Sequence, residues 1–198
     1  SARYQVQGAV LVDIEISLAD AEVAFAMRVN NRSESEVLEP VFPNVSGIAL
    51  GEDSRDDLLI TPNWQGGLKT VDPAHSGGGG VPYPAGGSMA WLDLYQEKPA
   101  HGVTLQSRDP ELMGCRLGAD ARSGSDSLTF TCRRYARIAP GQQWTAPAAV
   151  IGLHEGDWHV AADSYRAWAK TWMRLPKPPE WVREADGWYG LVVSANSN

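Results

Sequence analysis

The stretch Gly156-Asp157-Trp158-His159-Val160-Ala161-Ala162-Asp163-Ser164-Tyr165-Arg166-Ala167-Trp168-Ala169-Lys170-Thr171-Trp172 decides the fold. Trp158, Ala161, Ala162, Tyr165, Trp168, Ala169 and Trp172 recur at intervals of three and four, the spacing of one broad helix face. Asp157 stands where an N-cap accepts a backbone N–H. Pro176, Pro178 and Pro179 stop the helix. Trp181, Trp188 and Tyr189 follow, so five of the eight tryptophans fall between Trp158 and Trp188. That much aromatic surface implies a partner, and the segment reads as a linker helix feeding a further domain.

Working outward, everything upstream reads as strand. Val6, Val10, Val12, Ile14 and Ile16 alternate with mainly polar neighbours, as do Val23, Phe25, Met27 and Val29. Ala19-Asp20-Ala21 and Asn30-Asn31-Arg32-Ser33 read as turns between them. A third strand is expected over residues 37–42, ended by Pro43, and shorter ones at Ile48-Ala49-Leu50 and Leu58-Leu59-Ile60. Residues 61–87, with Gly77-Gly78-Gly79-Gly80, read as one long irregular loop. Further strands are expected over 89–95, 102–107, 115–118, 127–136 and 144–153. The sum is a mainly β fold: an antiparallel β-sandwich of about ten strands with one C-terminal α-helix. Residues 1–153 form the sandwich, and 154–198 the linker helix and extended tail.

Composition agrees and excludes some partners. With 43% apolar residues the chain can bury a core, and 20 glycines and 13 prolines suit a loop-rich β protein. The net charge of −7 argues against a nucleic-acid or anionic-membrane partner, both of which need a basic patch. No apolar run approaches the ~20 residues of a membrane-spanning helix. No signal peptide is visible, and a secreted or periplasmic location is favoured over a cytoplasmic one. Cys115 and Cys132 flank a turn centred near Ser123 and Gly124. That register sets the two cysteines opposite each other, and two buried thiols are preferred over a bridge.

Few motifs carry chemistry. His154 and His159 stand five apart, about 140° round a helix, whereas a zinc helix needs histidines four apart on one face. No metal and no cofactor is expected. The four-glycine run lacks the Gly-Lys-Ser/Thr ending of a phosphate loop. Sugars present C–H faces and rims of hydroxyls, which suits aromatic rings set beside carboxylates. Trp64, Tyr83, Trp91 and Tyr95 are therefore candidate stacking faces, with Asp93, Arg108 and Asp109 as polar partners. Packing is the competing reading. On a strand, Met89, Trp91 and Asp93 share one face while Leu92 and Leu94 point to the core.

Several of these stretches resemble a known family. Val41-Phe42-Pro43 with Gly47-Ile48-Ala49-Leu50 resembles the N-terminal β-domain of large bacterial glycoside hydrolases. So do Tyr83-Pro84 with Ser88-Met89-Ala90-Trp91-Leu92-Asp93-Leu94-Tyr95, and Ser107-Arg108-Asp109-Pro110. The most specific part is Gly156-Asp157-Trp158-His159 with Tyr165-Arg166-Ala167-Trp168 and the proline brake. These enzymes carry a galactose-mutarotase-like β-supersandwich before a (β/α)8 catalytic barrel, and the likeness is to a group of predicted hydrolases carried as a domain of unknown function. The resemblance implies that Gly187-Trp188-Tyr189-Gly190-Leu191 approaches the first barrel strand, and that the catalytic carboxylates belong to the barrel. Arg108 departs from the His expected before Asp109. The chain is thus expected to bind carbohydrate weakly, to scaffold the barrel, or both, without catalytic residues of its own. The alternative is a stand-alone hydrolytic or mutarotase-like sandwich using Asp93, Asp109, Glu111 or His101, which for hydrolysis needs two carboxyls about 5–10 Å apart.

Overall fold

A computed structural model describes residues 1–6, 9–64, 66–174 and 176–184. The expected approach to a barrel, Gly187 to Leu191, lies outside the described residues. The chain folds as two stacked antiparallel sheets with one long helix, as the strand patterning implies.

The wider sheet begins with β1 (Ala2–Val6), β2 (Val10–Ala19) and β3 (Glu22–Asn31). Between β2 and β3, Asp20 turns the chain at a φ of 51°, a left-handed conformation that Asp tolerates. A two-stranded ribbon pairs β4 (Val37–Leu38) with a later strand, and β5 (Val41–Ile48) opens the second sheet. A 3-10 turn at Ser54–Asp56 leads to β6 (Leu58–Asn63), β7 (Gly66–Val71) and β8 (Gly78–Tyr83). Then come β9 (Trp91–Glu97), β10 (Ala100–Arg108), β11 (Cys115–Ala121) and β12 (Leu128–Arg134). The sheets finish with β13 (Arg137–Ile138), β14 (Gln143–Thr145) and β15 (Ala148–Glu155). Among the described residues the wider sheet has nine strands in the order β1-β2-β3-β15-β10-β9-β6-β7, with β14 also on β3. The narrower one has four, β5-β12-β11-β8.

Three expectations are corrected. Residues 61–87 are not one loop: they hold the end of β6, then β7 and β8, and three of the four glycines run along β8. Pro43 does not end a strand but sits inside β5. It is tolerated there because β5 is an edge strand, as β8 is for Pro82. Cys115 faces Arg134, and Cys132 faces Leu117, because the β11–β12 turn is centred one residue later than the sequence suggested. A one-residue shift in the centre moves each partner by two. Both cysteines are free and buried.

Helix α1 (Trp158–Trp172) begins as read, with Asp157 Oδ1 accepting the His159 N–H at 3.0 Å. It lies on the wider sheet, opposite the narrower one, so β9 and β10 are covered on both sides. Leu92, Leu94 and Leu105 face the second sheet, and Trp91, Asp93, Thr104 and Gln106 face the helix. A four-residue helix, α2 (Glu180–Arg183), follows the prolines. No helix of the described residues is long and apolar enough to cross a membrane.

Four strands cannot cover nine. At the β2–β3 hairpin end, Ile16, Leu18 and Leu153 lie on the sandwich-facing side of the wide sheet by register, yet are exposed.

Candidate functional site

A cluster of buried polar side chains lies at the seam between α1 and strands β9, β10 and β15. His154 on β15 stands directly opposite Gly102 on β10. A Cβ at Gly102 would fall 2.6 Å from two atoms of the imidazole ring, so only glycine lets the ring lie across this strand. Having crossed it, Nε2 meets Asp93 Oδ1 at 3.0 Å. Asp93 is fully buried and the His154 side chain is 8% exposed. Asp93 Oδ2 has no partner among the described residues, and His154 Nδ1 makes no hydrogen bond of good geometry. Burial pushes the Asp93 carboxyl up to about 6, opposed by the hydrogen bond from His154. That same bond raises His154 above its ordinary value, and burial works against it.

The rest of the seam locks the helix down. Trp158 stacks on Trp91 with centroids 6.5 Å apart and planes 12° from parallel. Gln106 Nε2 reaches the Ala161 carbonyl at 3.4 Å and Ser164 Oγ at 3.3 Å. Tyr165 is buried, which pushes its hydroxyl up to about 12. The dyad therefore ties β15 to β9 across β10, on the helix-facing side of the sheet. His154 and His159 are engaged separately, the second with Asp157 Oδ1 at 2.9 Å.

The sequence candidates separate into three groups. Trp91, Asp93 and Tyr95 come together on one buried face of β9, where Trp91 stacks on Trp158 of α1. Arg108 closes the seam by a bidentate pair with Glu22, at 2.8 and 2.5 Å. Asp109 is buried, and its two oxygens accept the Glu111 and Met113 N–H groups at 2.9 and 2.7 Å, shaping a loop. Trp64 alone is displayed: it sits at the β6–β7 hairpin tip, 80% exposed. Tyr83 is half-buried at the end of β8. The two segments run side by side, since a Cβ on Gly87 would lie 3.5 Å from the Pro62 carbonyl. His101, an alternative acid–base candidate, is held at Nδ1 by the Pro99 carbonyl at 2.7 Å.

The His154–Asp93 pair was missed by sequence reasoning, which weighed His154 only against a metal motif. A signal existed. A carboxylate inside the apolar run Trp91-Leu92-Asp93-Leu94 needs a buried partner.

No family model matches the chain, and no curated protein is similar to it. Solved structures are similar in shape. Over 82% of the chain, the fold matches the GH36 α-galactosidase AgaA of Geobacillus stearothermophilus in complex with 1-deoxygalactonojirimycin, at a TM-score of 0.54 and 10% identity. Over 77% it matches the galactosidase domain of the α-galactosidase–sucrose kinase AgaSK, at 0.52 and 13%. Over 75% it matches AgaB, another GH36 α-galactosidase of Geobacillus stearothermophilus, at 0.50 and 11%. The chain spans about a quarter of those enzymes, 24%, 23% and 22% of their lengths. Its two-sheet architecture is thus one that GH36 α-galactosidases also contain, as a part of a longer chain.

Proposed function

We propose that this chain is a non-catalytic, carbohydrate-associated β-sandwich domain of a glycoside hydrolase. It seats a (β/α)8 catalytic barrel beyond α1 and lends an aromatic contact to the sugar. The observation that carries the reading is Trp64, 80% exposed at the tip of a hairpin in a fold shared with part of larger α-galactosidases. A lone indole held out on a tight turn adds nothing to the core. It offers a flat apolar face with a polar N–H, the chemistry a pyranose ring stacks on. Trp91, stacked on Trp158, helps hold α1 in place, and through it the direction in which the chain leaves the sandwich.

The test is an affinity-gel and glycan-array screen of the 198-residue chain, with reducing-sugar release measured on the same panel. Binding without release is expected. Trp64→Ala should leave stability within about 0.5 kcal/mol of the parent, as for an exposed site. It should weaken binding about tenfold or more, or 1.4 kcal/mol. Release of sugar abolished by one Asp or Glu substitution would overturn the proposal and make the chain an enzyme.

A further inference from the structure

We propose that the recess between the β2–β3 hairpin and the N-terminal half of α1 is a second subsite, which takes a neutral polyhydroxyl ligand such as a monosaccharide. The recess has a volume of about 360 Å³ and is lined by Glu22, Thr104, Gly152, His154, Val160 and Ser164 among others. That volume lies in the range of small-molecule sites.

Its floor exists because of one missing side chain. Gly152 on β15 pairs with Thr104 on one side and Glu22 on the other. A Cβ there would lie 3.2 Å from Thr104 Cγ2 and 3.6 Å from Glu22 Cγ, filling the space between them. Three polar groups then converge. The Glu22 carboxylate is oriented by Arg108 but remains 37% exposed at its side chain, and the two guanidinium bonds leave other lone pairs open. Ser164 Oγ accepts from Gln106, which leaves its own O–H free to donate. The His154 imidazole, more than nine-tenths buried and tied through Nε2 to Asp93, stands in the wall.

The chemistry of the wall selects the ligand. Val160 and Ala161 offer an aliphatic side for a C–H face. Glu22 accepts and Ser164 donates, as a pair of adjacent hydroxyls requires. Asp20 and Glu22 repel an anion, and a purely apolar guest would leave the carboxylate and hydroxyl unpaired. The choice of a sugar rests on the carbohydrate reading above, whereas the place rests on the recess alone.

Amide chemical shifts of the 198-residue chain titrated with D-galactose, and separately with glycerol, test this. Galactose should give saturable shifts at Glu22, Gly152, His154 and Ser164. Ser164→Ala, which removes one hydroxyl, should raise Kd at least fivefold, and Gly152→Ala should abolish the shifts. Should Gly152→Ala fail to fold, Ser164→Ala still decides. Shifts confined to the Trp64 hairpin would sink the recess and leave the proposed function standing. No saturable shift anywhere would remove both the recess and the sugar-binding half of that function.

Discussion

The buried hydrogen bond between His154 and Asp93 makes stability depend on pH in a definite direction. Both groups hold protons more tightly folded than unfolded: Asp93 at about 6 against an ordinary 3.8, His154 above 6.5. What they contribute is fully present below the unfolded values and is lost as pH rises through the folded ones. The unfolding free energy should therefore fall by roughly 1–3 kcal/mol from about pH 4 to beyond pH 7. Asp53, held down at about 2 by Arg55, titrates below this window. His75, raised by Asp72 and Asp126, is the same in every variant compared, so its contribution cancels. Asp93→Asn should flatten the decline, as urea midpoints at pH 5 and pH 8 would show; parallel declines in both proteins would refute this origin. Gly102→Ala is the steric counterpart. Alanine suits a strand at least as well as glycine, but its Cβ meets the His154 ring and, at 2.9 Å, the Leu94 carbonyl. A loss of about 1–3 kcal/mol is expected, and an unchanged urea midpoint would mean that the ring does not lie across this strand. The alternation that places Asp93 and Trp91 on one face is legible in the sequence. That the same face is covered by a helix is not, because period two distinguishes two faces without saying which of them meets solvent.

At the scale of elements, α1 shows what a periodic stretch does and does not reveal. Its limits, its cap and its apolar face all follow from spacing three and four. The depth of each residue does not. Only Ala161 and Tyr165 are buried, while Trp158, Trp168 and Trp172 lie partly exposed along the rim. Sequence alone leads one to expect the full core cost of about 3–5 kcal/mol for Trp168→Ala. The structure moves that cost to Tyr165→Ala and leaves about 1–2 kcal/mol for Trp168→Ala, whose indole still packs on Tyr165 at 5.2 Å. Chemical denaturation of the two variants side by side measures the order, and a larger loss at Trp168 would reverse it. Strand β8 was illegible for the opposite reason. Gly78-Gly79-Gly80 has no side chains to alternate, and what makes it a strand is a neighbour's surface. Cβ atoms at Gly79 and Gly80 would come within 2.8 Å of Leu59 Cδ2 and 2.7 Å of the Leu117 carbonyl.

At the scale of the whole molecule, helix and sandwich form a single body. Helix α1 packs on the face that carries Trp91, Asp93 and Gln106, so a chain ended at residue 155 would uncover large apolar surface together with a buried carboxylate. Such a truncation should be insoluble or should lose its cooperative thermal transition, and a soluble, cooperatively melting fragment would show that the sandwich stands without its helix. The two-layer class, the antiparallel pairing and the C-terminal helix were legible from patterning. The unequal width of the layers was not, because sheet membership is set by long-range pairing, as where β15 returns between β3 and β10.

That inequality has a practical outcome. Ile16, Leu18 and Leu153 gather aliphatic surface at one end of a molecule whose charge of −7 is carried elsewhere as well as there. A body with one greasy end behaves as a weak surfactant. Dilute solutions should lose protein to plastic and to the air–water boundary, with molecules standing end-on and the β2–β3 hairpin out of the water.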